Sequence, residues 1–260
     1  MIATSVDRPA GDAAPPGPLD LPVCDEFPVQ LELNGEPVVT LLCTPRDLTE
    51  LALGWLYCEG LLAGLDEVLA VGGCDQLNKM RVFTDGGRPV VQSAWRRVIT
   101  SGCGSGHAID PAELATLPRV ASDYTMPLTR LEALMREVAL GGPIKRAVGG
   151  VHSAALVDAS GILAHYEDVG RHNAVDKCIG RALLRDLDLG RTALLATGRV
   201  SSEMAFKASR AGIPIVASLN STTGLAVQLA QHVGVTIVAK AIGRKRVIYT
   251  HPGRVTSDER

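Results

Sequence analysis

Apolar and polar positions change rhythm along the chain. Val29-Gln30-Leu31-Glu32-Leu33 alternates, Asn34-Gly35 follows, and Pro37-Val38-Val39-Thr40-Leu41-Leu42 runs on. Asn and Gly both tolerate positive φ, so this spacing predicts a β-hairpin. A helix is expected next. Thr44 can cap it, Pro45 fits its first position, and Asp47 suits the positive end of its dipole. Leu48, Leu51, Ala52, Trp55 and Leu56 then form one apolar stripe at helical spacing, and Gly60 is the expected stop. Residues 62–99 read as short strands and turns, with Asp85-Gly86-Gly87 a second hairpin candidate. Residues 100–107 are a small-residue loop around Cys103, and residues 110–128 read as a connector.

Thr129 and Glu132 have the spacing of a capping box. Leu131, Leu134, Met135 and Val138 follow at helical spacing, closed by Gly141-Gly142-Pro143. Residues 153–157 and 161–165 read as a hairpin, and Val175, Ile179, Ala182 and Leu183 mark a helix. Strands and helices then alternate: strand 192–196, helix 203–211, strand 213–218, helix 224–233, strand 235–239, and a last strand over 247–250. This order implies parallel strands with helices packed on the sheet. Residues 1–18 are rich in Pro, Ala and Gly without periodicity and are expected to be a disordered tail, with structure beginning near Leu19. The expected division is that tail, a smaller N-terminal α+β domain over 19–127, and a C-terminal α/β domain over 128–260.

Composition narrows the function classes. A chain of 260 residues buries a full core and allows one large or two small domains. Six Cys over this length are not a disulfide scaffold. A formal charge of −2 argues against a general nucleic-acid or membrane-surface binder. No apolar run reaches the roughly 18 residues of a spanning helix. The stretch MIATSVDRPAGDAAPP lacks the apolar core of a secretory leader. The expectation is a soluble cytoplasmic protein with reduced thiols, no nucleic-acid partner and no membrane partner.

The densest polar cluster is Glu167-Asp168-Val169-Gly170-Arg171-His172-Asn173-Ala174-Val175-Asp176-Lys177. It reads as a ligand site in which Arg171 and His172 face an anion. The alternative is a solvated helix entrance, with Asn173 capping, Asp176 supporting the dipole and the rest in surface ion pairs, and the ligand site is slightly favoured. Two strand-to-helix turns stand beside it in the expected fold: Thr197-Gly198-Arg199-Val200-Ser201-Ser202 and Ser218-Leu219-Asn220-Ser221-Thr222-Thr223. Each offers hydroxyls and free backbone N–H groups at a helix N-terminus, a natural seat for phosphate, at the carboxyl end of a parallel strand. Ordinary capping explains one such turn, and two in series favour a phosphorylated ligand. Lys240, Arg244, Lys245 and Arg246 form a basic patch around Gly243, suited to phosphate contacts or to blunting a sheet edge.

Cys43, Cys58, Cys74 and Cys178 lie in apolar or strand-like surroundings that suit inert packing, and Cys24 lies near the tail. Cys103 is flanked by Gly102 and Gly104, with His107 four residues on to support a thiolate. It can be a reactive thiol or a structural Cys in a turn. No Cys-x-x-Cys occurs, and His152 is followed by Ser153-Ala154 rather than by the Glu of a zinc deaminase, so no zinc site is expected.

Gly150-Val151-His152-Ser153-Ala154-Ala155 and the eleven residues from Glu167 to Lys177 resemble the FdhD family of formate dehydrogenase accessory sulfurtransferases. The likeness extends through Glu26–Gly60, Thr197–Glu203, Ser221–Ala230 and Tyr249-Thr250, nearly all of residues 22–255. The resemblance implies a C-terminal three-layer, cytidine-deaminase-like α/β domain without its zinc ligands. It implies a sulfur carrier, usually a homodimer. A cysteine desulfurase loads a loop cysteine as a persulfide, and the sulfur passes to the bis-molybdopterin guanine dinucleotide cofactor before that enters formate dehydrogenase. By matching positions, Cys103 is the carrier. The cofactor-contacting stretch falls on Lys240, Ala241, Ile242, Gly243, Arg244, Lys245, Arg246 and Val247. Gly198, Arg199, Ser201, Ser202, Arg171 and His172 are the further candidates for contact. Two departures stand out. The family loop reads Cys-Gly-x-Cys-Gly, and Gly106 occupies its second cysteine position here. Lys240 and Ile242 stand where the family favours an aromatic and an arginine. Either Cys103 works alone, or this chain binds and delivers the cofactor without transferring sulfur.

Overall fold

The computed structural model describes residues 3–6, 19–74, 78–86 and 117–257. In its N-terminal part, Ala3–Val6 (β1) pairs antiparallel with Leu19–Pro22 (β2). The tail expected over 1–18 therefore contains a strand. Four residues are too few to show a period, and a partner strand organises them. Phe27–Leu33 (β3) and Glu36–Cys43 (β4) form the expected hairpin, with Asn34 at φ 52° and Gly35 at φ 88° in its turn. Leu48–Cys58 (α1) follows, then Val68–Cys74 (β5) and Lys79–Thr84 (β6). The sheet order is β4-β3-β6-β5, with β3 and β6 parallel. Val29, Leu31, Leu33, Met80 and Val82 pack on Leu51, Leu53 and Leu56 of α1 in one core.

Thr44 does not cap α1. The helix begins after Asp47, whose φ of 54° is left-handed and whose side chain makes no cap hydrogen bond. Thr44 is instead spent on another element: its N–H donates to Asp168 and its hydroxyl accepts from the Val169 N–H. Sequence-local capping lost to a tertiary contact.

The C-terminal part runs Met126–Pro127 (β7), Leu128–Leu140 (α2), Pro143–Ala147 (α3), His152–Val157 (β8), Ile162–Asp168 (β9) and Arg171–Leu184 (α4). It continues Ala193–Ala196 (β10), Ser202–Arg210 (α5), Ile215–Ser218 (β11), Gly224–Val233 (α6), Thr236–Ala239 (β12), Val247–Ile248 (β13) and Val255–Thr256 (β14). The six-stranded sheet has the order β13-β12-β11-β10-β8-β9. β10, β11 and β12 are parallel, and β8, β9 and β13 run antiparallel to their neighbours. The central strands Ala193-Leu194-Leu195-Ala196, Ile215-Val216-Ala217-Ser218 and Thr236-Ile237-Val238-Ala239 are buried throughout, as parallel strands covered on both faces must be. Leu194, Val216 and Ile237 point to α4, α5 and α6. Leu195, Ala217 and Val238 point to the other face, where Leu131, Leu134, Met135 and Val138 of α2 cover them. This is the three-layer α/β arrangement expected for this part of the chain.

The capping box at α2 does not form, because the helix starts at Leu128 with Pro127 in the cap position. Glu132 instead takes Arg136 at 2.5 Å and Arg246 at 2.6 Å. Two cations outcompete a neutral N–H for one carboxylate.

The two parts meet where α1 crosses α4, and there the backbones touch. A Cβ on Gly54 would lie 1.9 Å from the Asp176 carbonyl oxygen, and one on Gly180 would lie 1.9 Å from that of Glu50. Each glycine is a requirement of the crossing. Gly54→Ala and Gly180→Ala are each expected to lower unfolding free energy by about 3 kcal/mol or more, since neither neighbouring backbone can yield. Gly72→Ala, whose Cβ meets nothing, is expected to change it by less than about 0.5 kcal/mol. Urea denaturation of the three variants checks this.

Candidate functional site

The turn from β9 into α4 carries the polar cluster, and the structure gives it a use that neither sequence reading contained. Asp168 and Lys177 are fully buried and form an ion pair at 2.6 Å. The same carboxylate accepts from the N–H groups of Thr44 (3.2 Å) and Gly170 (2.8 Å) and from Asn173 Nδ2 (2.9 Å). Lys177 Nζ also donates to the Thr44 carbonyl, and Asn173 Nδ2 to that of Leu42. Asn173 thus caps nothing. It lies inside α4, whose cap residue is Gly170. Glu167 reaches the other way and accepts from the N–H groups of Gly142, Ile144 and Lys145 at the start of α3. Asp176 is buried one turn on and pairs with Lys207 of α5 at 2.8 Å. Burial alone would push the Lys207 ammonium towards neutrality, but Asp176 together with Cys58, Glu59 and Glu203 outweighs it and keeps the ammonium charged. Far from a solvated entrance, this segment is a buried seam of charges.

Only Arg171 and His172, the first residues of α4, face the end of the sheet. There the turns after the parallel strands stand side by side. Ser218 Oγ donates to the Gly198 carbonyl, and Asn220 Nδ2 to that of Thr197 at 3.5 Å. The Lys240 N–H donates to Asn220 at 3.0 Å and the Ala241 N–H to Ser218 at 2.8 Å. Val200 and Thr222 form a bridge between the first two turns. Gly198 is pressed against α4: a Cβ there would lie 3.0 Å from Arg171 Cβ and 3.4 Å from His152 Nδ1. His172 Nε2 lies 3.0 Å from Ser201 Oγ, and its Nδ1 lies 3.4 Å from Glu203 Oε2. Burial, aided by the nearby Arg171, holds His152 below the usual imidazole range.

Gly198, Ser201, Arg171, His172 and Lys240 therefore gather at the carboxyl edge of the sheet. Lys240 is exposed and left-handed at φ 49°, and Arg199 is exposed. Ser202 opens α5. Ala241 is buried in the core under α2, Gly243, Arg244, Lys245 and Val247 are exposed, and Ile242 is half-buried. Arg246 is turned onto α2 by Glu132, which also accepts from the Gly243 N–H at 3.3 Å. The basic patch is thus divided between two faces. Sequence reading missed Glu203 and Lys207. Both sit at charged positions on a helix whose Met204, Ala205 and Ala208 are buried, and a Glu and a Lys four residues apart on such a helix were a usable signal.

Cys103 and His107 lie outside the described residues. Of the other thiols, Cys43, Cys58 and Cys178 are buried and their pKa is raised by burial, that of Cys43 to about 12. Cys24 is half-buried, donates to the Gly149 carbonyl at 2.7 Å and is also raised. None of these four is poised as a thiolate. Among the described residues no helix is long and apolar enough to cross a membrane.

Comparison with known proteins decides the family. A model of the FdhD/NarQ family matches residues 24–256. The chain belongs to the FdhD/NarQ family. A sulfur carrier protein FdhD of Bacillus subtilis (strain 168) is 34% identical over 232 residues, 88% of each chain. One of Staphylococcus aureus (strain MRSA252) is 32% identical over 238 residues, 90% of this chain and 89% of that one. A crystal structure from Desulfotalea psychrophila, described as a formate dehydrogenase accessory protein, superposes with a TM-score of 0.76 at 28% identity, covering 97% of both chains. The eleven residues from Glu167 to Lys177 are, in this fold, the segment that joins the buried charge seam to the sheet edge.

Replacing Lys177 by Met strands the Asp168 carboxylate in the core. The expected loss is about 3–5 kcal/mol of unfolding free energy. Denaturation should show the Asp168→Asn/Lys177→Met double variant losing less than Lys177→Met alone, because it leaves no unpaired charge at this site.

Proposed function

We propose that this protein is a sulfur carrier that serves formate dehydrogenase by passing sulfur to the bis-molybdopterin guanine dinucleotide cofactor, which it holds as substrate. The observation that carries the reading is the row of turns after β10, β11 and β12 beside the start of α4. It gathers Gly198, Ser201, Asn220, Lys240, Arg171 and His172 at the edge where open α/β sheets bind ligands. Backbone N–H groups and cations there suit the pyrophosphates of a guanine dinucleotide. The names of the relatives and their extent of match support sulfur carriage.

Cys103 is the proposed carrier, with His107 supporting its thiolate. The Cys103 thiolate attacks the terminal sulfur of a cysteine desulfurase persulfide. The desulfurase thiolate leaves, and the new S–S bond sits on Cys103, with no net oxidation. Releasing that sulfur as sulfide takes two electrons from a thiol, which ends in a disulfide with Cys103. With Gly106 in the second loop position, that thiol comes from another molecule. The protein acts as a cytoplasmic homodimer in this reading.

Gly106 also favours a second reading, a cofactor-binding chaperone that transfers no sulfur. One experiment separates the two. The chain is incubated with a cysteine desulfurase and cysteine, and the Cys103 peptide is weighed by mass spectrometry. Formate dehydrogenase maturation is followed in a strain lacking its own factor. The carrier gains one sulfur atom on Cys103, and Cys103→Ala abolishes maturation while guanine nucleotide binding persists. Normal maturation by Cys103→Ala, or no sulfur on Cys103, overturns sulfur carriage in favour of the chaperone.

A further inference from the structure

Ser201 occupies the cap position of α5, yet its hydroxyl does not cap that helix. A Ser in that position ordinarily accepts from an N–H two or three residues on. Here the hydroxyl is turned to His172 Nε2 at 3.0 Å, and the other ring nitrogen lies 3.4 Å from Glu203 Oε2. The three side chains form a row, hydroxyl to imidazole to carboxyl, in which the Ser201 contact is a hydrogen bond and the Glu203 contact is an ion-pair distance without hydrogen-bond geometry. One end of the row stands among the sheet-edge turns, and the other runs into the protein. His172 is only 4% exposed. This arrangement forgoes a helix cap in order to fix a ring, a departure from local preference of the sort found at functional sites.

We propose that Glu203 is a positioning residue of the anion site: through His172 it sets the direction of the Ser201 hydroxyl and the charge that meets an incoming phosphate. The inference rests on the anion-site half of the proposed function. Arg171 and His172, adjacent on α4, stand beside the site. When Glu203 is ionised its carboxylate offsets the positive charge of Arg171 and competes with the ligand. When Glu203 holds its proton, the Arg171 cation is left to the ligand and the imidazole keeps its place.

The surroundings place this exchange near neutral pH. Glu203 faces Lys207 on its own helix, Asp176 and Arg171 on α4, and Glu59 at the end of α1. Burial raises it first. Lys207 opposes that rise, Asp176 and Glu59 add to it, and the carboxyl comes to about 7. The pair of Glu203 and His172 therefore holds one proton more below about pH 7 than above it, and the titration belongs to the pair. An anion favours the more positive state. Affinity for a dianion rises as pH falls through this range, and binding above it takes up a proton.

Sulfate tests this directly, because it stays a dianion throughout. Its binding is followed by the amide resonances of Gly198 and Ser201, and the ring of His172 is titrated in the free protein, for the native chain, Glu203→Gln and Ser201→Ala. The native chain is expected to bind sulfate at least about threefold more tightly at about pH 6 than at about pH 8. Its His172 ring should titrate in two linked steps. Glu203→Gln, nearly isosteric, should show a single His172 step and lose the pH dependence of binding. Ser201→Ala should keep both His172 steps while weakening binding. Sulfate that binds at these turns with no pH dependence, or a His172 titration unchanged in Glu203→Gln, overturns the positioning role and leaves the anion site standing. No shift at Gly198 or Ser201 with sulfate overturns both. Neither result touches the sulfur chemistry assigned to Cys103, which the maturation experiment judges separately.

Discussion

A charge taken out of water must be answered on every side, and Asp168 is the place where this protein meets that demand. The carboxylate stands at the end of β9. Its partners come from three regions of the chain: Thr44 before α1, Gly170 in the turn, and Asn173 and Lys177 on α4. Satisfying it fixes the position of the loop before α1, the exit angle of β9 and the entry of α4 together. The glycine crossing of α1 and α4 depends on this alignment, because contact at backbone distance leaves no slack to correct an error in angle.

α4 consequently carries three tasks along its length. Its first residues, Arg171 and His172, serve the sheet edge. Its second turn, Asn173 to Lys177, answers Asp168 and supplies Asp176 to Lys207. Gly180 then accepts the backbone of α1. A single helix connects the side chains at the sheet edge to the packing of the N-terminal part. The sheet-edge site accordingly rests on rigid elements with buried supports, the arrangement that holds functional groups to fine tolerance.

Much of this was legible in the sequence. The Asn34-Gly35 hairpin, the α2 stripe and the strand–helix alternation after residue 190 all follow from periodicity, and the structure contains them. The misplaced caps share one cause. Thr44, Thr129 with Glu132, and Asn173 were read as caps, the strongest local use of such residues. Two of those sites, Thr44 and Asn173, answer the buried Asp168, and Glu132 answers Arg136 and Arg246. Local patterns cannot show a partner 124 residues away, the separation of Thr44 and Asp168. At the site, the strand-end turns were legible because topology alone places them on one edge. Glu203 was not, because its role comes from a ring on a different helix.

That separation of 124 residues also bears on how the protein is made. β3, β4 and α1 leave the ribosome long before α4 exists. The flank of α1 around Gly54, shaped to receive a backbone, has no partner while the next hundred or so residues are synthesised. The N-terminal part must therefore wait, with apolar surface exposed, for its second half. Contacts of such long sequence separation slow folding and extend the exposure. A chain with this crossing needs protection during synthesis until its second half arrives.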